Sequence, residues 1–153
     1  METKSTSRAA EVADPWVVAY NKLIFSQPKL TEPYFQPLPE TYNIKKLGSD
    51  LALERSDFAA IVEKRPQDVQ HYFAPEAAYI SLKDQAVLKV VKELLGLRVL
   101  LSMLTVDDNA VLRWLKLPNP TLANRTPVEC MKQSDFAAIA DMLIFLLQEN
   151  QTA

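Results

Sequence analysis

The chain has 153 residues, 48% of them hydrophobic, and a formal net charge of −2. That is enough for one packed core with an appended arm, and it leaves no global basic field to hold nucleic acid. A single cysteine, Cys130, excludes an internal disulfide framework and suits a reducing compartment.

Only two glycines, set beside long leucine- and alanine-rich runs, point to an all-α fold. Residues 1–38 read as an N-terminal arm and proline-rich connector. Met1 to Ala13 is polar and charged, lacks the apolar centre of a secretory signal, and is expected to fray. Asp14-Pro15 is a helix start, and Trp16 to Phe25 fits a short amphipathic helix through Trp16, Tyr20, Leu23 and Ile24. Pro28, Pro33, Pro37 and Pro39 then punctuate an extended connector. Its Leu30, Tyr34 and Phe35 must lie on the main body or on a second copy.

Residues 39–80 read as a run of short helices. Pro39 to Leu47 has proline near its start and Gly48 just past its end. Ser56-Asp57 is expected to cap Phe58 to Lys64, Pro66 breaks the run, and Gln67 to Phe73 forms a second short helix. Two short helices around a tight turn suggest a helix-turn-helix. On that motif Phe58, Ala59, Val62, Val69 and Tyr72 fall at core positions. Glu63 and Lys64 are misfits, where a glycine and an apolar residue are common. With Gln67 to Phe73 as recognition helix, Gln67, Gln70 and His71 reach base edges, and Lys64 and Arg65 a phosphate. Against this, Glu54, Asp57, Glu63 and Asp68 outweigh Arg55, Lys64 and Arg65, which penalises approach to a polyanion. The alternative is a structural helical corner.

Residues 81–106 form a central core helix, with Ser81 as cap, Asp84 three residues on, and an end about Leu104. Gln85, Lys89, Lys92 and Gly96, with Glu93 beside them, make one narrow polar stripe. Nearly every other side chain is apolar, so the helix is buried on most sides. Lys89, Lys92, Glu93 and Arg98 exclude a membrane span over Ala86 to Leu104. A soluble cytoplasmic protein is expected.

In residues 107–153, Thr105 and Asp108 sign the next helix start, and Val111, Trp114 and Leu115 form its buried stripe. Asn109, Arg113 and Lys116 share the opposite face. Pro118 stops that helix, and Asn119 between two prolines makes the following loop stiff. Thr126, Pro127 and Glu129 then spell a capping box with proline at the first helical position. Such a loop holds Asn119, Asn124 and Arg125 at defined angles, either as a corner between core helices or as a presented surface. The last helix, capped by Ser134, is expected from Asp135 to about Gln148 with two apolar stripes. Phe136, Ile139, Ala140, Leu143, Leu146 and Leu147 face the core. Ala138, Met142 and Phe145, with Ile144 alongside, need a partner, either a second copy or another protein. Ser134 to Ile139 repeats Ser56 to Ile61 letter for letter, which a shared cap and apolar turn explain.

Nothing here builds an enzyme. One histidine and one cysteine cannot make a His/Cys metal site, and neither Gly48 nor Gly96 sits in a phosphate loop. Cys130 near a helix start reads as a buried, inert thiol. No cofactor, metal, small-molecule substrate or membrane is expected.

Trp114-Leu115, two residues, Pro118-Asn119-Pro120, then Leu122, Pro127 and Met131 is similar to the toxin-binding domain of the MbcA/ParS/Xre antitoxins, over roughly Asp107 to Leu147. The glycine pair often seen in that loop is replaced by Ala123-Asn124, and the leucine pair after the capping box by Cys130-Met131. The resemblance implies a degenerate Xre-like helix-turn-helix module over residues 39–80. It further implies the antitoxin of a type II pair, covering the active site of a RES-type or related toxin that consumes NAD or transfers ADP-ribose. On that resemblance Trp114, Pro118 and Pro120 shape the site, while Arg113, Asn119, Asn124 and Arg125 supply polar contacts. Met142 and Phe145 add apolar surface, and Glu149 near the chain end meets arginines of the NAD pocket. The partners in view are the cognate toxin, a second copy in a homodimer, and operator DNA. The alternative function is a DNA-binding transcriptional regulator whose C-terminal helices only dimerise.

Overall fold

The computed structural model describes residues 26–74 and 78–152. The expected helix at Trp16 to Phe25 and the frayed start lie outside the described residues. The connector after them is not extended. It holds a helical turn, α1 (Pro28–Thr31), and an antiparallel hairpin of β1 (Phe35–Pro37) and β2 (Glu40–Tyr42), with Phe35 opposite Tyr42. Pro39 sits at the hairpin tip, joined to Leu38 by a cis peptide bond, and not at the head of a helix. Its fixed φ and missing N–H suit a tip, where no ladder hydrogen bond is required. Tyr42 exchanges two 2.9 Å backbone hydrogen bonds with Ile80, which stitches the hairpin to the segment entering the central helix. Tyr34 is buried and donates its hydroxyl to Asp50 at 2.7 Å, so the connector packs on its own chain.

The first helix of the body is α2 (Ile44–Asp50), capped by Asn43, with Gly48 inside it and not beyond its end. The second, α3 (Arg55–Ile61), starts earlier than Ser56-Asp57 suggested. Glu54 is its N-cap, and Asp57 at the third helical position accepts from the Glu54 N–H at 2.9 Å, a reciprocal capping box. The expected second helix of a helix-turn-helix is replaced by two 3-10 turns, Pro66–Asp68 and Gln70–Phe73. Seven residues behind a proline cannot easily nucleate an α-helix. A repeat of three places Val69 and Tyr72, both buried, one above the other. The α-helical recognition element expected over Gln67 to Phe73 is therefore absent from this segment.

The long helix α4 (Gln85–Leu104) is capped by Asp84, whose Oδ1 accepts from the Ala86 and Val87 N–H groups; Ser81 lies outside it. Every residue from Glu93 to Leu101 is buried, so the helix is the axis of the molecule. The polar stripe is exposed at Gln85, half-buried at Lys89 and Lys92, and buried at Glu93, which takes the Lys89 ammonium at 3.3 Å. Buried Arg98 donates to Ser102 Oγ at 2.7 Å and to Asp108 Oδ1 at 2.9 Å. Along α4 lies the last helix, α7 (Phe136–Thr152), its main packing partner. Between them come α5 (Asp108–Leu115) and α6 (Pro127–Lys132). One continuous core, from Tyr34 to Leu143, joins all these elements.

Three helix ends share one device. After α2, α3 and α6 the chain closes with a left-handed residue, Ala52 (φ 59°), Glu63 (φ 60°) and Ser134 (φ 60°). In each, the next N–H reaches back to the third carbonyl from the helix end: Leu53 to Gly48, Lys64 to Ala59 and Asp135 to Cys130, at 2.8–2.9 Å. This is the Schellman closure, usually built on glycine. Ser134 therefore ends α6 and does not cap α7. Asp135 takes the capping place, its Oδ1 accepting from the Ala138 N–H at 3.4 Å.

Candidate partner-binding site

The site grows from the end of α4. Asp107 caps α5, accepting from the Asn109 and Ala110 N–H groups, and Thr105 Oγ1 accepts from the Asp107 N–H. Asp108 and Thr105 thus flank the cap and do not form it. The ion pair from Arg98 to Asp108 pins the first turn of α5 to α4. Val111 and Leu115 are buried, Trp114 is half-buried against the core, and Asn109, Arg113 and Lys116 are exposed, as their helical spacing dictates.

Beyond α5 the loop folds on itself. Asn119 N–H donates to the Arg125 carbonyl at 3.0 Å, and the Asn119 carbonyl accepts from the Leu122 and Asn124 N–H groups at 2.9 Å. Its side-chain Oδ1 takes the Thr121 N–H at 2.9 Å, capping a single 3-10 turn, Pro120–Leu122. Leu122 plugs this turn into the core. Ala123 (φ 58°) and Asn124 (φ 64°) are both left-handed, which is the physical reason a glycine pair suits these two positions. Pro118, Pro120 and Asn124 are exposed and Asn119 is half-buried, so the loop shows a rigid, proline-framed edge to solvent.

Arg125 stands differently from the other candidates. Its Nε donates to the Leu122 carbonyl at 3.0 Å, Nη1 to Gln133 Oε1 at 2.8 Å and Nη2 to Asp135 Oδ2 at 3.0 Å. The guanidinium fork clamps the loop to the junction of α6 and α7. The capping box of α6 is as read: Thr126 Oγ1 accepts from the Glu129 N–H at 3.0 Å, and Glu129 Oε1 from the Thr126 N–H at 2.8 Å. Cys130 and Met131 are wholly buried in the core, where a leucine pair would also be apolar and enclosed. Burial pushes the Cys130 thiol up, outweighing the nearby Arg125 charge.

On α7, Phe136, Ile139, Ala140 and Leu143 are buried as expected, but Leu146 is 38% exposed. Met142 and Ile144 are half-buried against the core, while Phe145 is 58% exposed. The second stripe is thus part covered and part open. The helix runs on to Thr152, past the expected Gln148, so Glu149 is an exposed helical residue and not part of a loose tail.

The DNA candidates are exposed but not on one α-helix. Lys64 pairs with Asp84 at 3.0 Å, and Arg65 holds Asp68 through two hydrogen bonds. Gln67 and Gln70 are exposed, and His71 lies 4.0 Å from the Tyr72 ring centre. Among the described residues, no group of His, Cys, Asp or Glu could hold a metal, and no helix is long and apolar enough to cross a membrane. The cleft lined by Pro28, Lys29, Thr31, Phe35, Pro37 and Tyr79 involves none of the candidate residues.

Sequence reasoning did not reach Gln133 and Asp135 as partners of Arg125, because nothing in their spacing links a loop to a helix junction. It also passed over Arg98 with Asp108. Lys116 was legible, three residues after Arg113 on the exposed face.

Comparison with curated proteins and with solved structures returns no match. Residues 100–144 match the family model described as the antitoxin Xre/MbcA/ParS C-terminal toxin-binding domain. That span takes in the last turn of α4, α5, the proline loop, α6 and the first half of α7, and it includes the stretch from Trp114 to Met131 that is similar to the same family.

Proposed function

We propose that the chain is the antitoxin of a type II toxin–antitoxin pair and covers the active site of a RES-type or related toxin that consumes NAD or transfers ADP-ribose. The antitoxin-family domain supports an antitoxin role, a toxin partner and a regulatory, non-catalytic protein. The observation that carries the reading is where the match falls. Among the described residues, it lies on a stretch that combines a self-bonded, proline-framed loop with exposed side chains on the helices either side. A surface that is already rigid loses little entropy on docking, which favours tight occlusion of a pocket. Arg113, Trp114, Pro118, Asn119, Pro120, Asn124, Met142, Phe145 and Glu149 are its contact residues, and Arg125 holds the loop from behind.

Co-expression with the toxin encoded beside it tests this. The two chains should co-purify, and cellular NAD should fall when the toxin is expressed alone and recover with this chain present. If the pair neither co-purifies nor restores NAD, the proposal is wrong. The rival regulator reading predicts a salt-sensitive gel shift on the chain's own upstream DNA with no co-purifying toxin. Homodimerisation through the Phe145 side is read separately from sedimentation of the free chain.

A further inference from the structure

The matched segment carries four cations beyond α4: Arg113, Lys116, Arg125 and Lys132. Two are engaged within the chain, Arg125 with Asp135 at 3.0 Å and Lys132 with Asp57 at 3.5 Å. Arg113 and Lys116 are exposed and make no ion pair among the described residues. Three residues apart, they share one face at the end of α5. The acids at the other end of that helix are occupied, Asp107 as its cap and Asp108 on Arg98.

The helix dipole favours cations at a C-terminus and so accounts for their sign. It does not account for the residue after them. Leu117 is 58% exposed, wedged in sequence between Lys116 and the rigid Pro118, and serves no part of the core. A large apolar side chain in water, next to two cations and continuous with the proline loop, has the make-up of an interface edge.

We infer that Arg113, Lys116 and Leu117 form the charge-reading edge of the partner-binding site, and that the toxin surface seated there presents carboxylates beside an apolar socket. This rests on the antitoxin reading. A protein carboxylate patch fits better than a phosphate backbone. Only two cations are offered, the chain is net −2, and Asp107 and Asp108 stand about 8–14 Å away along the same short helix.

The test is the affinity of the purified chain for its co-encoded toxin over a salt series, for wild type, the double variant Arg113→Glu/Lys116→Glu, Leu117→Asp and the milder Leu117→Ala. The Leu117 variants should keep the wild-type thermal midpoint, while reversing two charges at the C-terminal end of α5 should lower it by only about a few degrees, well short of unfolding at the assay temperature. The double variant should weaken binding by about tenfold or more, chiefly through slower association, and flatten its salt dependence. The Leu117 variants should speed dissociation. Wild-type affinity in the double variant overturns the inference while leaving the antitoxin reading intact. If the double variant instead loses duplex DNA and keeps the toxin, the edge faces phosphate and the inference is also overturned. If wild type binds no toxin at all, both fall.

Discussion

Arg125 is a structural clamp, and removing it should be felt in stability before anything else. Arg125→Glu deletes three hydrogen bonds, to Leu122, Gln133 and Asp135, and sets a second carboxylate beside Asp135. The ion pair itself is partly exposed, 29% and 39% for the two side chains, so on its own it contributes about 1 kcal/mol at most. The bond from a charged donor to the Leu122 carbonyl, which is held in the loop, adds about 1.5 kcal/mol, and the Gln133 contact less. The sum is about 3 kcal/mol. For a chain of this size that lowers the melting temperature by about 6–12 °C. Arg125→Lys keeps the charge but not the planar fork, and should fall between wild type and Arg125→Glu. Thermal unfolding followed by circular dichroism reads both. A melting temperature for Arg125→Glu within about 1 °C of wild type would refute the clamp.

Three further outcomes rest on particular residues. Ala123→Gly relieves a left-handed alanine that costs about 1–2 kcal/mol, less the freedom glycine adds to the unfolded chain, so it should stabilise by about 0.5–1 kcal/mol in denaturant titration; an unchanged or lower midpoint contradicts this. The Lys64 hydrogen bond holds the Asp84 carboxyl below its usual range, aided by the Val87 and Ala86 N–H groups. A carboxylate depressed on folding stabilises above its unfolded pKa of about 4, and the benefit is lost as pH falls through its folded value. Asp84→Asn, which keeps a capping oxygen, should therefore flatten the loss of stability below about pH 4, and an unaltered acid profile would tell against the pairing. Cys130, buried with its thiol pushed up, should resist a disulfide-exchange reagent at neutral pH and react only on unfolding; rapid labelling of the native chain would show the site is open.

The repeated hexapeptide shows how far local sequence carries. Ser56 to Ile61 and Ser134 to Ile139 are identical, yet Asp57 is the third residue of its helix while Asp135 stands at a helix head. Their neighbours decide. Glu54 opens α3 two residues early, whereas the closing turn of α6 uses Ser134 and delays the start of α7. Where a proline and a capping box coincide, at Thr126-Pro127-Glu129, the boundary was legible. Where helices ended without glycine, at Ala52, Glu63 and Ser134, it was not, since the usual punctuation is missing. The 3-10 turns after Pro66 escaped because Val69 and Tyr72 satisfy either period over so short a run. At the site, exposure along α5 was readable from periodicity. The engagement of Arg125 was not, because Gln133 and Asp135 reach it only through the folded junction.

The left-handed positions bear on how long the free chain survives. At Ala52, Glu63, Ala123, Asn124 and Ser134 a side chain sits where glycine costs nothing. At about 1 kcal/mol each, the five together rival the lower end of a domain's whole margin against unfolding. A protease samples the opened chain more often as that margin shrinks, so an unaccompanied copy should be cut sooner than a variant with glycine at these positions. A partner at about a hundred times its dissociation constant restores about 2.7 kcal/mol, slowing digestion by about a hundredfold. Protection from a protease in the presence of a partner is thus the expected outward sign of these five left-handed positions.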